Sequence, residues 1–230
     1  EMAGRMPEFA DFTFAEKLYM GLANVERIFI AELDPVYCVV AAVLVLLVYR
    51  KTGDYRKTLL AGIPALLLFG QAVVRVSHPS LKKVFVRPEQ TTHWDWHALV
   101  TYMPLVFLVL SVWGILYALW QLADGAWKHY LWTAFLLAGG FAMGVVMGFS
   151  PTIYASANRP YLYLYFVLIY VCADAVWNMG GMKAVWKTGS ADAVRKMPVP
   201  EKLMFTVLGL LVLANILDVT RMCWLLGRIL

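Results

Sequence analysis

Charge is scarce in this sequence. Only 15% of its 230 residues are Asp, Glu, Lys or Arg, against roughly 25% in a soluble domain, which excludes a disordered chain. Cysteine is scarcer still. Cys38, Cys172 and Cys223 lie in or beside apolar stretches, so a disulfide scaffold is excluded and three reduced thiols are expected. Strict alternation of apolar and polar residues is missing, which removes a transmembrane barrel. No basic stripe interleaves with aromatics, so the net charge of +5 does not read as a nucleic-acid surface. What remains is apolar. Hydrophobic residues make up 61% of the chain and the mean hydropathy is +0.67, above the roughly 45–50% apolar content of soluble domains. The expected fold class is an all-α integral membrane protein.

A helix needs about 20 mostly apolar residues to cross the hydrocarbon, and six segments qualify: 35–49, 58–76, 98–120, 129–149, 160–178 and 203–220. The expectation is thus a bundle of about six transmembrane helices over 35–230. It is preceded by an acidic extracytoplasmic segment, 1–34. The first span is short, bracketed by Asp34 and Arg50, and must be shielded by protein or draw lipid inward. Orientation follows the bases near the span ends. Arg50, Lys51, Arg56 and Lys57 lie in one loop, and Lys183, Lys187, Arg195, Lys196 and Lys202 in another, so both are assigned to the cytoplasm. Segment 1–34 carries three bases against seven acids, which puts the N-terminus outside. The chain opens on Glu1 with no basic stretch leading into a short apolar core, so no secretory signal is legible and a processed or truncated product is expected.

Residues 13–33 read as an amphipathic interfacial helix, with Phe14, Leu18, Leu22, Val25 and Phe29 recurring at helical spacing. In the fourth span Gly140, Gly144 and Gly148 repeat every four residues. Such a stack lets another helix backbone approach closely and predicts packing rather than a site.

Two outer loops concentrate polar chemistry. The stretch from Ser150 to Pro160 holds Thr152, Tyr154, Ser156, Asn158 and Arg159. The planar fork of Arg159 can hold a phosphate in two parallel bonds, and Tyr154 offers a ring and a hydroxyl. The bland alternative is a tight outer turn with Arg159 reaching head groups. Arg75, at the end of the second span, could assist in holding a lipid phosphate. The second loop carries His93-Trp94-Asp95-Trp96-His97. It reads either as an interfacial aromatic belt of Trp94 and Trp96 or as a sugar-facing group, with Asp95 or His93 as general base. No further Cys or His completes a zinc shell, so neither metal nor cofactor is expected.

The run Ser150-Pro151-Thr152-Ile153-Tyr154-Ala155-Ser156, followed by Arg159, resembles a signature of the C-terminal halves of bacterial polytopic glucosyltransferase-like proteins of the GT-C type. Ala157 stands where that signature has glycine, and the acidic catalytic loop near the family's N-terminus is not recognisable. The resemblance implies a location in the bacterial cytoplasmic membrane and transfer of a sugar from a polyprenyl-phosphate donor to a cell-surface glycan on the outer face. Asp95 and His93, or an acid of 1–34, would be the catalytic groups. Arg159, Tyr154, Ser156, Thr152, Asn158, Arg75, Trp94 and Trp96 would bind substrate. The implied partners are the lipid-linked sugar and bilayer lipids, with an N-terminal half or partner subunit as a further candidate. A non-catalytic lipid-binding or scaffold subunit is the alternative. A transporter or flippase is disfavoured because paired Gly/Pro interruptions are not seen in the spans.

Overall fold

The computed structural model describes residues 7–77, 99–151 and 161–178. The chain divides into two compact units, Glu1–Cys172 and Ala173–Leu230. The described residues are mostly helical, with no strand among them. Seven helices follow in order: α1 (Phe14–Glu26), α2 (Pro35–Thr52), α3 (Tyr55–Ala61), α4 (Ile63–Ser77), α5 (Met103–Leu122), α6 (Trp127–Val146) and α7 (Leu162–Asn178). A π-helical turn, Arg27–Ala31, continues α1, and short 3-10 turns precede α5 and follow α6. The described part of the second unit is the end of α7, where the Asn178 amide donates to Asp174 at 3.1 Å.

Three segments are long and apolar enough to cross a membrane: Pro35–Thr52, Met103–Leu122 and Trp127–Phe149. A fourth arises if α3 and α4 count as one span, but they meet at 62°. The expected straight span over 58–76 is therefore bent, and the cause is local. Gly62 caps α3 by donating to Thr58 and Leu59, and Pro64 has no N–H to continue the ladder. The ring of Pro64 packs where Gly114 of α5 lacks a side chain. This bend is an interruption that the sequence reading of the spans did not register. The fifth candidate, Leu162–Asn178, is apolar but shorter than the three. The sixth, 203–220, lies outside the described residues.

Contacts along α5 show how the short first span is accommodated. The Tyr19 hydroxyl of α1 donates to the Thr101 carbonyl, just ahead of α5. Tyr37, near the start of α2, bonds Ser111 midway along α5. Lys51, at the end of α2, donates to the Leu122 carbonyl at the end of α5. So α2 runs beside only the later part of α5, and α1 with its π turn covers the earlier part. The span is buried over 44% of its length, with Leu46 and Tyr49 exposed.

Lys51 also pairs with Asp124 at 2.7 Å, tying the 50–57 and 121–128 loops to one end of the unit. A cluster of Trp120, Trp127 and Tyr130, with ring centroids 5.3–5.7 Å apart, lies at that same end. Trp120 and Trp127 are both exposed. Amphipathic rings so placed suit a membrane–water interface.

α1 begins with a complete cap: the Thr13 side chain accepts from the Glu16 amide, and the Glu16 carboxylate accepts from the Thr13 amide. Its apolar residues divide differently from the sequence expectation. Phe14 and Leu18 are exposed, whereas Tyr19, Met20, Gly21, Asn24, Val25 and Glu26 are buried. The face turned inward is thus mixed, and it seats on the glycines of α6. A side chain at Gly140 would meet Leu164 of α7, and one at Gly144 would meet Val25 of α1 and Tyr161. At Gly148 it would meet the backbone of Lys17 and Gly21. The glycine stack packs two helices at once.

Candidate functional site

Polar side chains inside the first unit gather where α1 turns into α2. Asp34 starts α2 as its N-cap, accepting from the Tyr37 amide at 3.0 Å, and Pro35 follows at the first helical position. The other carboxylate oxygen of Asp34 accepts from the Tyr165 hydroxyl of α7 at 2.7 Å. In the last turn of α1, Asn24 bridges two partners. Its amide nitrogen donates to the Tyr161 hydroxyl, and its oxygen accepts from Arg27 at 2.7 and 3.0 Å. Arg27 in turn pairs with Glu32 at 3.2 Å. Phe29 lies among the rings of Tyr37, Tyr161 and Tyr165.

Two backbone features place this network. The π turn Arg27–Ala31 inserts an extra residue per turn, and such turns cluster at functional sites. Leu33 then adopts φ 58°, a left-handed conformation that a side chain disfavours. Together they break the chain between α1 and α2, so Asp34 arrives free to cap. Asp34→Ala should remove both the cap and the acceptor of Tyr165 and cost about 2–4 kcal/mol. Asp34→Asn keeps an acceptor for the Tyr37 amide and turns a donor toward the Tyr165 hydroxyl, which can accept, so it should cost less. Apparent melting temperatures in detergent measure the difference.

One member has no partner. Glu26 is 1% exposed, and among the described residues no hydrogen bond or ion pair reaches its carboxyl. α1 lies ahead of the apolar spans, and burial there pushes Glu26 up to about 8. Asp34 is also raised by burial, but the Tyr165 hydroxyl and the amides of Tyr37 and Val36 oppose the shift.

A groove of about 390 Å³ opens between α1, α5 and α6. Its walls are Leu22 of α1, Leu108, Val109, Val112, Trp113 and Leu116 of α5, and Ala138, Phe141 and Val145 of α6. No polar side chain lines it. A cleft of this size and lining can take hydrocarbon and offers no charged group to a phosphate.

The site residues singled out in the sequence are, Arg75 apart, not among the described ones. His93, Trp94, Asp95 and Trp96 lie outside the described residues, as do Thr152, Tyr154, Ser156, Asn158 and Arg159. Arg75 falls in the last turn of α4, and its side chain is outside the description. The sequence reading included Glu26 only among the acids of 1–34 and gave Asn24, Arg27 and Tyr165 no site role. A signal was available: Asn24 and Arg27 stand three apart, and Glu26, Glu32 and Asp34 interrupt an otherwise apolar run. Compared with protein-family models, with curated proteins and with solved structures, the chain matches none.

Proposed function

We propose that the chain is a six-span protein of the bacterial cytoplasmic membrane, with its N-terminus outside, that handles a polyprenyl-phosphate-linked sugar at its outer face. It acts as a glycosyltransferase or as the C-terminal part of one. The observation that supports this reading is the apolar groove. Val145, at one end of its α6 wall, lies five positions before Ser150, where the polar motif begins. A lipid with its hydrocarbon in the groove would carry its head group toward the segment containing Arg159. A guanidinium suits the phosphate, and an outward carboxylate such as Asp95 would activate the acceptor hydroxyl.

Binding of polyprenyl phosphate and of neutral polyprenol, followed by native mass spectrometry, tests the reading. Ala138→Phe places a ring in the groove from an exposed position and should weaken both lipids by roughly tenfold, about 1.4 kcal/mol. Leu131→Phe, exposed on the same helix away from the groove, should change neither. Arg159→Ala should weaken the phosphate alone, by about 1.5–3 kcal/mol. Equal binding of both lipids to Arg159→Ala and to the unaltered protein would remove donor recognition. The non-catalytic lipid-binding or scaffold subunit would then remain. Catalysis itself requires sugar transfer that is lost in Asp95→Asn.

A further inference from the structure

Glu26 is a buried feature of the first unit that the lipid reading does not use. It lies one turn beyond Leu22 on α1, and Leu22 is the only α1 residue in the groove wall. Residues four apart share a helix face, so whatever holds Glu26 in place also holds that wall.

A carboxylate buried without a partner is costly, and the chain has two ways to avoid that cost: keep the proton, or bring the group to water. Charged and titratable groups on the neighbouring elements supply no third way. On the π turn, Arg27 is taken up by Asn24 and Glu32. At the start of α2, Asp34 is held by Tyr37 and Tyr165. α5 and its entry turn offer Tyr117 and Tyr102, and the 3-10 turn after α6 offers none. Lys128, His129 and Tyr130 of α6 lie in its first turns, remote in sequence from Gly144 and Gly148, where α1 seats. At the start of α7, Tyr161 accepts from Asn24, and Tyr163 is exposed. α4, which packs on the π turn, carries Arg75. None of the described residues forms an ion pair with Glu26.

The second way, toward water, is open to α1 as a body. Its outer face, with Phe14 and Leu18, is exposed. It is joined to α2 through the π turn and Leu33 at φ 58°, a junction where the helical ladder is already broken. It rests on α6 and the turn after it through the Val25 side chain at Gly144 and its own backbone at Gly148.

We propose that Glu26 is a proton-binding site that controls the seating of α1: protonated, it lets α1 lie against α5 and α6, and its ionisation loosens α1 together with the groove wall at Leu22. The site takes a proton and needs no metal, and it stands or falls independently of the lipid reading.

Hydrogen–deuterium exchange of residues 14–31, in the full chain in lipid nanodiscs and corrected for the intrinsic pH dependence of exchange, tests it. In the unaltered protein, protection should fall with rising pH by up to about tenfold per unit between about pH 4.5 and about pH 8, and level off above that. Peptides of α5 should stay protected, and the change should reverse on returning to acid. Glu26→Gln and Glu26→Leu, neither of which titrates, should each hold α1 protected across that range. Leu serves where Gln fails to fold. A pH-independent unaltered protein overturns the proposal whatever the variants do, and so does a neutral variant that retains the original pH profile. Loss of pH dependence in the variants with lipid binding unchanged would uphold the proton site and separate it from the groove.

Discussion

Gly148→Ala is expected to be among the most damaging single-methyl changes in the described part of the chain. A methyl there would press on the Lys17 carbonyl oxygen and stand 2.6 Å from the Gly21 nitrogen and 2.8 Å from its Cα. All three are backbone atoms, so relief requires moving α1 as a body. Gly21→Ala meets the same obstacle from the other side, with the backbone carbon of Val145 at 2.9 Å and its Cα at 3.0 Å. Overpacking typically costs 1–3 kcal/mol where side chains can yield, and here about 3 kcal/mol or more is expected. Gly144→Ala should cost less, about 1–2 kcal/mol, because the obstructing atoms belong to the side chains of Val25 and Tyr161. Gly139→Ala meets nothing within 4 Å and should be neutral, or stabilising by up to about 1 kcal/mol from helix propensity alone. Apparent melting temperatures in detergent should rank the four variants in that order. Equal behaviour of Gly148→Ala and Gly139→Ala would overturn the seating of α1 on α6.

That contrast shows which parts of the architecture a sequence can carry. The apolar runs at 35–49, 98–120 and 129–149 are legible because a helix in hydrocarbon must be apolar along its whole length. The stack of Gly140, Gly144 and Gly148 is legible as a packing face, since absent side chains at helical spacing have few other uses. Its partners are not. Nothing in the spacing says that α1 lies on the stack, because an amphipathic helix can turn its apolar face to lipid or to the bundle. The structure buries Asn24 and Glu26 and exposes Phe14 and Leu18. Outside water the usual assignment of polar residues to the outer face no longer holds, and periodicity alone cannot choose. The bend at Gly62 and Pro64 was present in the residues, but one Gly and one Pro inside a long apolar run are also tolerated in straight spans. The network of Asn24, Arg27, Asp34, Tyr161 and Tyr165 joins positions more than a hundred residues apart. Only the local half of it, Asn24 with Arg27 and the cap at Asp34, could be read from spacing.

Glu26→Gln should make the protein more stable at neutral and alkaline pH, an unusual result for removing an acidic group. Below about pH 4.5, the ordinary value for a glutamate, the carboxyl is neutral whether α1 is seated or not, and its burial carries no charge penalty. Above that value the unfolded chain releases the proton while the folded protein keeps it, because burial holds the group up to about 8. Folding then binds a proton, so stability falls with rising pH by about 1.4 kcal/mol per unit and levels off past about pH 8. The loss accumulates to roughly 3 kcal/mol near pH 7 and about 4–5 kcal/mol once the plateau is reached. Glutamine has the same shape and no ionisation, so its stability should be flat across this window apart from the contributions of other groups. The two proteins should therefore melt alike near pH 4 and diverge as the pH rises, with the variant the more stable. Parallel profiles for the two proteins would assign the titration to another group. Asp34 would be the first to examine, through Asp34→Asn, because burial raises it as well while Tyr165 and two backbone amides hold that rise in check.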